Sequence, residues 1–187
     1  MRLLLASKSP RRRQLLTLLG FPLTIVDVDV DEVVDKDTPV EYIAAGLALL
    51  KSKGYGGAIA DGDILVTADT IVVHRGEVLG KPRSHEDAVA TLLSLSGDVH
   101  TVYTGVCLRS NKRQVVFSEH TDVYFRKLDM DTINTYVNQG TCMDKAGAYG
   151  IQEWIGMVGV ERIDGCFYNV MGLPLSRLYN ELTKNEW

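Results

Sequence analysis

Ile64-Leu65-Val66-Thr67-Ala68-Asp69-Thr70-Ile71-Val72-Val73 reads as an apolar β-strand with one residue out of place. Aspartate is depleted from strands, and an ionised carboxylate inside such a run is costly unless cations or a metal pair with it. Asp69 is therefore either part of a site or a side chain that accepts backbone hydrogen bonds at a bulge. Downstream, Arg75-Gly76 separates this strand from Glu77–Leu79 and predicts a hairpin turn.

Working outward, Arg2–Ala6 reads as a short strand, followed by a helix over Pro10–Leu19 that stops at Gly20. Pro22–Val30 is strand-like, and Pro39–Lys53 has helical spacing that ends in Gly54, Gly56 and Gly57. Ser84–Ser94 predicts a helix, and Val99–Leu108 with Gln114–Lys127 a second hairpin around Asn111-Lys112. Asp129–Asn138 is helical with Asp129 as N-cap, Met157–Ile163 a strand, and Pro174–Leu182 the last helix. Helices interleaved with hairpins imply an α/β fold on a mixed sheet. Neither a repeat nor a linker divides the chain.

The 187 residues carry a net charge of −4, so no global basic field is available to hold a nucleic-acid backbone. Cys107, Cys142 and Cys166 are odd in number and contain no CxxC pair, which favours a reducing compartment over disulfides or a zinc ribbon. The apolar run at the N-terminus is too short for a signal peptide, and none approaches a membrane span. The expectation is a cytoplasmic protein with no membrane partner.

Ser7-Lys8-Ser9-Pro10-Arg11-Arg12-Arg13 places an N-cap serine and an N1 proline ahead of three arginines. Cations in a first helical turn are unfavourable by roughly 0.3–1 kcal/mol each. An anion bound there reverses that sign, because backbone N–H groups and guanidinium forks both suit phosphate oxygens. A solvated basic helix start is the competing reading. Asp27, Asp29 and Asp31 alternate as one face of an extended segment, and an exposed strand end accounts for them better than a cation site does. Gly76 to Lys81 is one residue short of a P-loop, and Pro82 stands where that loop needs Ser or Thr. Lys81 directly after a strand and glycine can nevertheless reach a phosphate as a point charge. Lys51 lies late in a helix, where the dipole alone favours a cation. The four histidines form no HxxxH or HExxH pair.

Taken in order, the motifs resemble the Maf family of nucleotide pyrophosphatases. They are Ala6-Ser7-Lys8-Ser9-Pro10-Arg11-Arg12, Asp31-Glu32, Leu47-Ala48-Leu49-Leu50-Lys51, Ala68-Asp69-Thr70-Ile71-Val72 and Gly80-Lys81-Pro82. Thr104-Gly105-Val106, Lys145-Ala146-Gly147-Ala148-Tyr149-Gly150-Ile151-Gln152 and Asn169-Val170-Met171-Gly172-Leu173-Pro174 complete the set, which covers nearly the whole chain. The resemblance implies one domain over 1–187: a two-lobed α/β fold with an elongated, curved mixed sheet flanked by helices and a nucleotide cleft, similar to inosine triphosphate pyrophosphatases. The AGAYGIQ form looks like the branch acting on dTTP and UTP, which implies hydrolysis of pyrimidine nucleoside triphosphates to monophosphate and pyrophosphate. By the same resemblance Asp69 is the catalytic base, Arg11, Thr70 and Gln152 set base specificity, and Ser7, Ser9, Arg12, Lys51, Lys81 and Lys145 face the phosphates. Glu32 and Asp69 would hold a divalent metal, magnesium or manganese. A non-catalytic, nucleotide-responsive regulator of septum formation is the alternative, and a homodimer is compatible with either. The family commonly has glycine after the IQ pair; here Glu153 and Trp154 follow, so the base pocket is expected to differ beside Gln152.

Overall fold

The registers of the first three strands decide where the catalytic candidates sit. A computed structural model describes residues 1–35, 37–184 and 187. Strand β1 (Arg2–Ala6) pairs in parallel with both β2 (Leu23–Val26) and β3 (Asp63–His74). Its side chains from Leu3 to Ala6 are buried, as a parallel strand covered on both faces requires. Strand β2 stops at Val26, four residues before the predicted end at Val30. The reason is register: Val26 pairs with Ala6, the last residue of β1, so no ladder partner remains beyond it. Asp27, Asp29 and Asp31 then stand exposed outside any strand, as the solvated reading expected.

Helix α1 (Pro10–Thr17) follows β1 and ends before Gly20, whose φ of 77° the missing side chain permits. Helix α2 (Val40–Gly54) precedes β3, and β4 (Glu77–Leu79) returns antiparallel across Arg75-Gly76. Both turn residues have positive φ, the type I′ geometry that matches strand twist. Arginine is strained there, and its guanidinium is held by two hydrogen bonds to Asp98, at 3.1 and 2.8 Å. Helix α3 (His85–Leu95) is capped by Ser84, and α4 (Met130–Val137) by Asp129, whose carboxylate accepts from Thr132 N at 2.7 Å. Between them lie β5 (Val99–Arg109) and β6 (Gln114–Phe125), neighbours in the sheet. The chain ends with α5 (Trp154–Gly159), β7 (Val160–Asp164), α6 (Phe167–Met171) and α7 (Leu175–Lys184). Met157–Gly159, expected as the start of a strand, is helical; pairing with β6 begins only at Val160 opposite Phe125.

Among the described residues seven strands form one mixed sheet in the order β2-β1-β3-β5-β6-β7, with β4 on β3. The α/β class and the mixed sheet expected from the sequence are what the chain adopts. By contact the chain divides into two compact units: residues 1–70, 104–119 and 172–187, and residues 71–103 and 120–171. The first is cored by Leu3, Leu5, Leu15, Leu16, Ile64 and Leu65. In the second, Leu92, Leu95, Phe125, Ile133, Tyr136 and Ile155 pack together. Each fully buried Leu or Phe contributes roughly 1.5–3 kcal/mol.

Candidate active site

Every residue of β3 is buried except two neighbours, Asp69 and Thr70, which are half-buried. The carboxylate that disturbed the sequence pattern is therefore the point at which this strand reaches the surface of the first unit. Asp69 Oδ1 accepts from Lys51 Nζ at 2.6 Å, with both side chains 14% exposed. The same ammonium lies 3.0 Å from Glu32 Oε1. Helix α2 supplies Lys51 from its last turn, and Glu32 comes from the extended segment after β2. Two carboxylates thus share one ammonium, and the cluster keeps a net negative charge. The cation that the sequence demanded for Asp69 is a lysine 18 positions earlier.

This donor set fits the metal that the family resemblance implies. Magnesium and manganese prefer oxygen ligands, and magnesium commonly takes one or two carboxylates with the rest of its shell from water and phosphate. Glu32 and Asp69 provide two such carboxylates. No group of three or more His, Cys, Asp or Glu able to hold a metal occurs among the described residues.

The start of α1 is organised as the sequence suggested. Ser9 caps the helix, its hydroxyl accepting from Arg12 N, and Ser9 N in turn donates to Ser7 Oγ at 3.2 Å. No acidic residue occupies the first turn, so Arg11, Arg12 and Arg13 stand together at the positive end of the helix dipole. Arg12 has a structural use that the sequence did not reveal. Its Nε donates to Gly172 O at 2.9 Å, Nη1 to Ala68 O at 2.8 Å and Nη2 to Thr70 Oγ1 at 2.8 Å. Three of the five guanidinium donors are therefore committed to segments far away in sequence. Burial pulls the Arg12 pKa down; Asp69 and Glu32 oppose that pull, and Arg11 adds to it. The Thr70 hydroxyl also hydrogen-bonds Thr104 Oγ1 at 2.9 Å, a partner that no pattern in the sequence selects.

Ser7, Ser9, Arg11, Arg12, Glu32, Lys51, Asp69 and Thr70 all belong to the first unit, and Lys81, Lys145 and Gln152 to the second. Within the second unit, exposed Lys81 follows β4, and its neighbour Gly80 accepts through its carbonyl from Gly147 N at 3.1 Å. Lys145 is buried, with its side chain 7% exposed. Its ammonium meets Asp144 Oδ1 at 2.7 Å and Glu153 Oε1 at 2.9 Å, and it donates to the carbonyl of Thr141. The contacts to Asp144 and Thr141 are hydrogen bonds, and Glu153 completes an ion pair with the same ammonium. Glu153 further accepts from the Tyr136 hydroxyl and from Thr141 Oγ1 at 3.1 Å. Burial first, and then the bond to Glu153, push the Tyr136 phenol up, which keeps it a protonated donor. Gln152 walls a cavity of about 480 Å³ together with Ile151, Met157, Ile163 and Phe167. Its Oε1 is buried without a hydrogen-bond partner among the described residues. An unmet acceptor of this kind costs about 1–3 kcal/mol unless a ligand or water satisfies it.

Residues 2–185 match the family described as Maf-like protein. A dTTP/UTP pyrophosphatase of Bacteroides fragilis is 48% identical over 182 residues, covering 97% of this chain and 94% of that one. Its namesake in Bacteroides thetaiotaomicron is 46% identical over 183 residues, covering 97% and 95%. In Caldanaerobacter subterraneus subsp. tengcongensis a third protein of that name is 44% identical over 190 residues, covering 100% and 90%. Among solved structures, the Staphylococcus aureus Ham1 protein shares the fold, with a TM-score of 0.51 at 14% identity over 97% of this chain and 100% of that one.

Proposed function

Because the chain belongs to the Maf family, we propose that it is a nucleoside triphosphate pyrophosphatase that hydrolyses pyrimidine nucleoside triphosphates, dTTP and UTP first among them, to the monophosphate and pyrophosphate. The relatives named above carry that activity in their names. The observation that carries the reading is Asp69, a carboxylate at the one opening of a buried strand, held by Lys51 and joined through it to Glu32.

In the proposed reaction a water oxygen bonds to the α-phosphorus, the bond from that phosphorus to the α,β-bridging oxygen breaks, and pyrophosphate leaves with the bonding pair. Asp69 orients the water and takes its proton. Oδ1 is engaged by Lys51, so Oδ2 is the oxygen for that task. Lys51 offsets one of the two adjacent negative charges, which otherwise repel an anionic substrate. Glu32 and Asp69 would hold magnesium or manganese, which supplies charge neutralisation on the triphosphate oxygens. Ser7, Ser9 and the arginine-rich start of α1 offer hydrogen-bond donors and positive charge to the phosphate tail. Lys81 and Gln152 carry the roles that the family resemblance implies, phosphate binding and base recognition. A carboxamide has one donor and one acceptor, which suits the O4 and N3–H edge of uracil and thymine, whereas cytosine presents a donor at position four. The reading puts the protein in the cytoplasm, where its substrates are used, with neither nucleic acid nor membrane as partner. No helix among the described residues is long and apolar enough to cross a membrane.

Incubating the purified protein with magnesium or manganese and a panel of nucleoside triphosphates tests the proposal, with pyrophosphate release as the readout. Release from dTTP and UTP ahead of dCTP and the purines is expected. Asp69→Asn should lower turnover about 10²–10⁴-fold while thermal melting shows an intact fold. Unaltered turnover in that variant removes Asp69 from the chemistry. No release from any triphosphate would turn the reading toward a non-catalytic regulator.

A further inference from the structure

Glu153 sits at the N-cap position of α5, yet its carboxylate makes no capping bond to that helix. A carboxylate placed there ordinarily accepts from a free backbone N–H of the first turn. Instead it turns back to accept from the Tyr136 hydroxyl and Thr141 Oγ1, and to meet the Lys145 ammonium at 2.9 Å. Tyr136 is fully buried in α4, and its hydroxyl oxygen also accepts from Gly150 N at 3.1 Å. The network therefore returns to the segment that carries Gln152.

Gly150 shows how closely these groups converge. A Cβ at that position would stand 2.8 Å from Gln152 Nε2, 2.9 Å from Glu153 Cδ and 3.0 Å from Lys145 Cε. The carboxamide, the carboxylate and the lysine chain crowd the same open side of Gly150, so a side chain there would push all three of them aside. Lys145 donates to Asp144 Oδ1 and to the Thr141 carbonyl and ion-pairs with Glu153, so its ammonium is engaged within this network. Paired with two carboxylates, it also brings no net positive charge to a triphosphate.

We propose that Glu153 is a positioning residue for base recognition: it holds Lys145 as a strut, not a phosphate ligand, and the strut fixes which way the Gln152 carboxamide faces. The inference rests on the pyrophosphatase reading and on Gln152 as the residue that meets the base. Orientation matters because a carboxamide free to rotate by half a turn exchanges donor for acceptor and accepts cytosine as readily as thymine. Discrimination by an unpaired polar group survives only while that rotation is blocked.

The test compares kcat/KM for dTTP and dCTP, and inhibition by inorganic pyrophosphate, in the wild type, Glu153→Ala, Glu153→Gln and Lys145→Met. Pyrophosphate has phosphates and no base, so it separates the two roles. In Glu153→Ala and Lys145→Met the dTTP preference should fall about tenfold, the scale of one unpaired polar group, with pyrophosphate inhibition unchanged. Glu153→Gln keeps an acceptor for Tyr136 and Thr141 and should retain most of the preference. An unmoved preference in Glu153→Ala overturns the proposal, and so does weakened pyrophosphate inhibition in Lys145→Met. Should Glu153→Ala fail to fold, Tyr136→Phe removes a single hydroxyl and must lower the same preference. A wild type that releases no pyrophosphate from dTTP sinks the pyrophosphatase reading itself, before any variant is compared.

Discussion

Replacing Arg12 by lysine separates charge from geometry at the start of α1. The arginine fork reaches Gly172 O, Ala68 O and Thr70 Oγ1 together, and a lysine ammonium on a flexible stem cannot hold three such acceptors in one plane. Gly172 adopts φ of 112°, a conformation that L side chains rarely take, and its carbonyl is one of those three acceptors. Hydrogen bonds to charged groups are worth about 1.5–3 kcal/mol each, and losing two should destabilise Arg12→Lys by at least about 2 kcal/mol in denaturant unfolding. Turnover should fall through kcat, because Thr70 adjoins Asp69 in β3. If instead stability holds and only KM for dTTP rises, Arg12 contacts the phosphates, and its hold on the three acceptors is incidental. At this scale the sequence exposed the problem but not its solution. The apolar run around Asp69 called for a cation, yet nothing in it selects Lys51 over Lys53 or Lys81. The family resemblance puts Lys145 and Arg12 beside the phosphates, and only the folded chain shows the protein partners that their donors also reach.

Helix α2 carries Lys51, and its placement against the sheet depends on a missing side chain in β5. A methyl group on Gly105 would overlap the backbone of Ala44 and Ala45, where neither atom set can move without the helix. Gly105→Ala should therefore cost about 1–3 kcal/mol or more and reduce turnover as Lys51 shifts from Asp69. Gly46 lies inside the same helix with nothing within 4 Å of an added Cβ. Gly46→Ala should stabilise by up to about 1 kcal/mol, since glycine is a poor helix former. Thermal unfolding of the two variants must move in opposite directions; a matching loss in both would mean that α2 tolerates no change at all, packed or not. Elements whose signal is local are legible in the sequence itself. Ser9 and Asp129 cap their helices as read, and the Arg75-Gly76 turn closes its hairpin. Elements that depend on a partner are not. Strand β2 ends where β1 runs out, and the Met157–Gly159 run, apolar enough for a strand, becomes the end of α5 because β6 has no register for it before Val160. The five-residue helix α6 is anchored through Asn169, whose amide donates to Val102 O and Thr121 Oγ1, contacts that no short window of sequence contains.

Acid should destabilise the molecule in two stages. His100 is buried in the second unit, with Nε2 against Tyr149 OH at 2.7 Å and Nδ1 without a partner among the described residues. Burial, reinforced by His74 and opposed by Asp122 and Asp98, lowers its pKa to about 4. The unfolded chain takes up that proton near pH 6.5, whereas the native protein does so only near pH 4. Stability is therefore complete above pH 6.5 and declines as pH falls toward 4, by at most about 3 kcal/mol. A second group acts lower. Asp98 is held down first by its hydrogen bond to His74, and Asp63 by its hydrogen bond to Arg2. Their contribution is present above the ordinary carboxylate range and is lost as pH falls below it. The net charge of −4 at neutral pH reaches zero near pH 5.6, so self-repulsion does not explain a loss between neutral pH and that point. Denaturant midpoints at pH 7, 5.5 and 4.5 should decline in the wild type. His100→Gln, lower in stability at pH 7, should show a flatter profile between pH 6.5 and 4.5 and the same collapse below pH 4. Parallel profiles for the two proteins would place the first proton on some group other than His100.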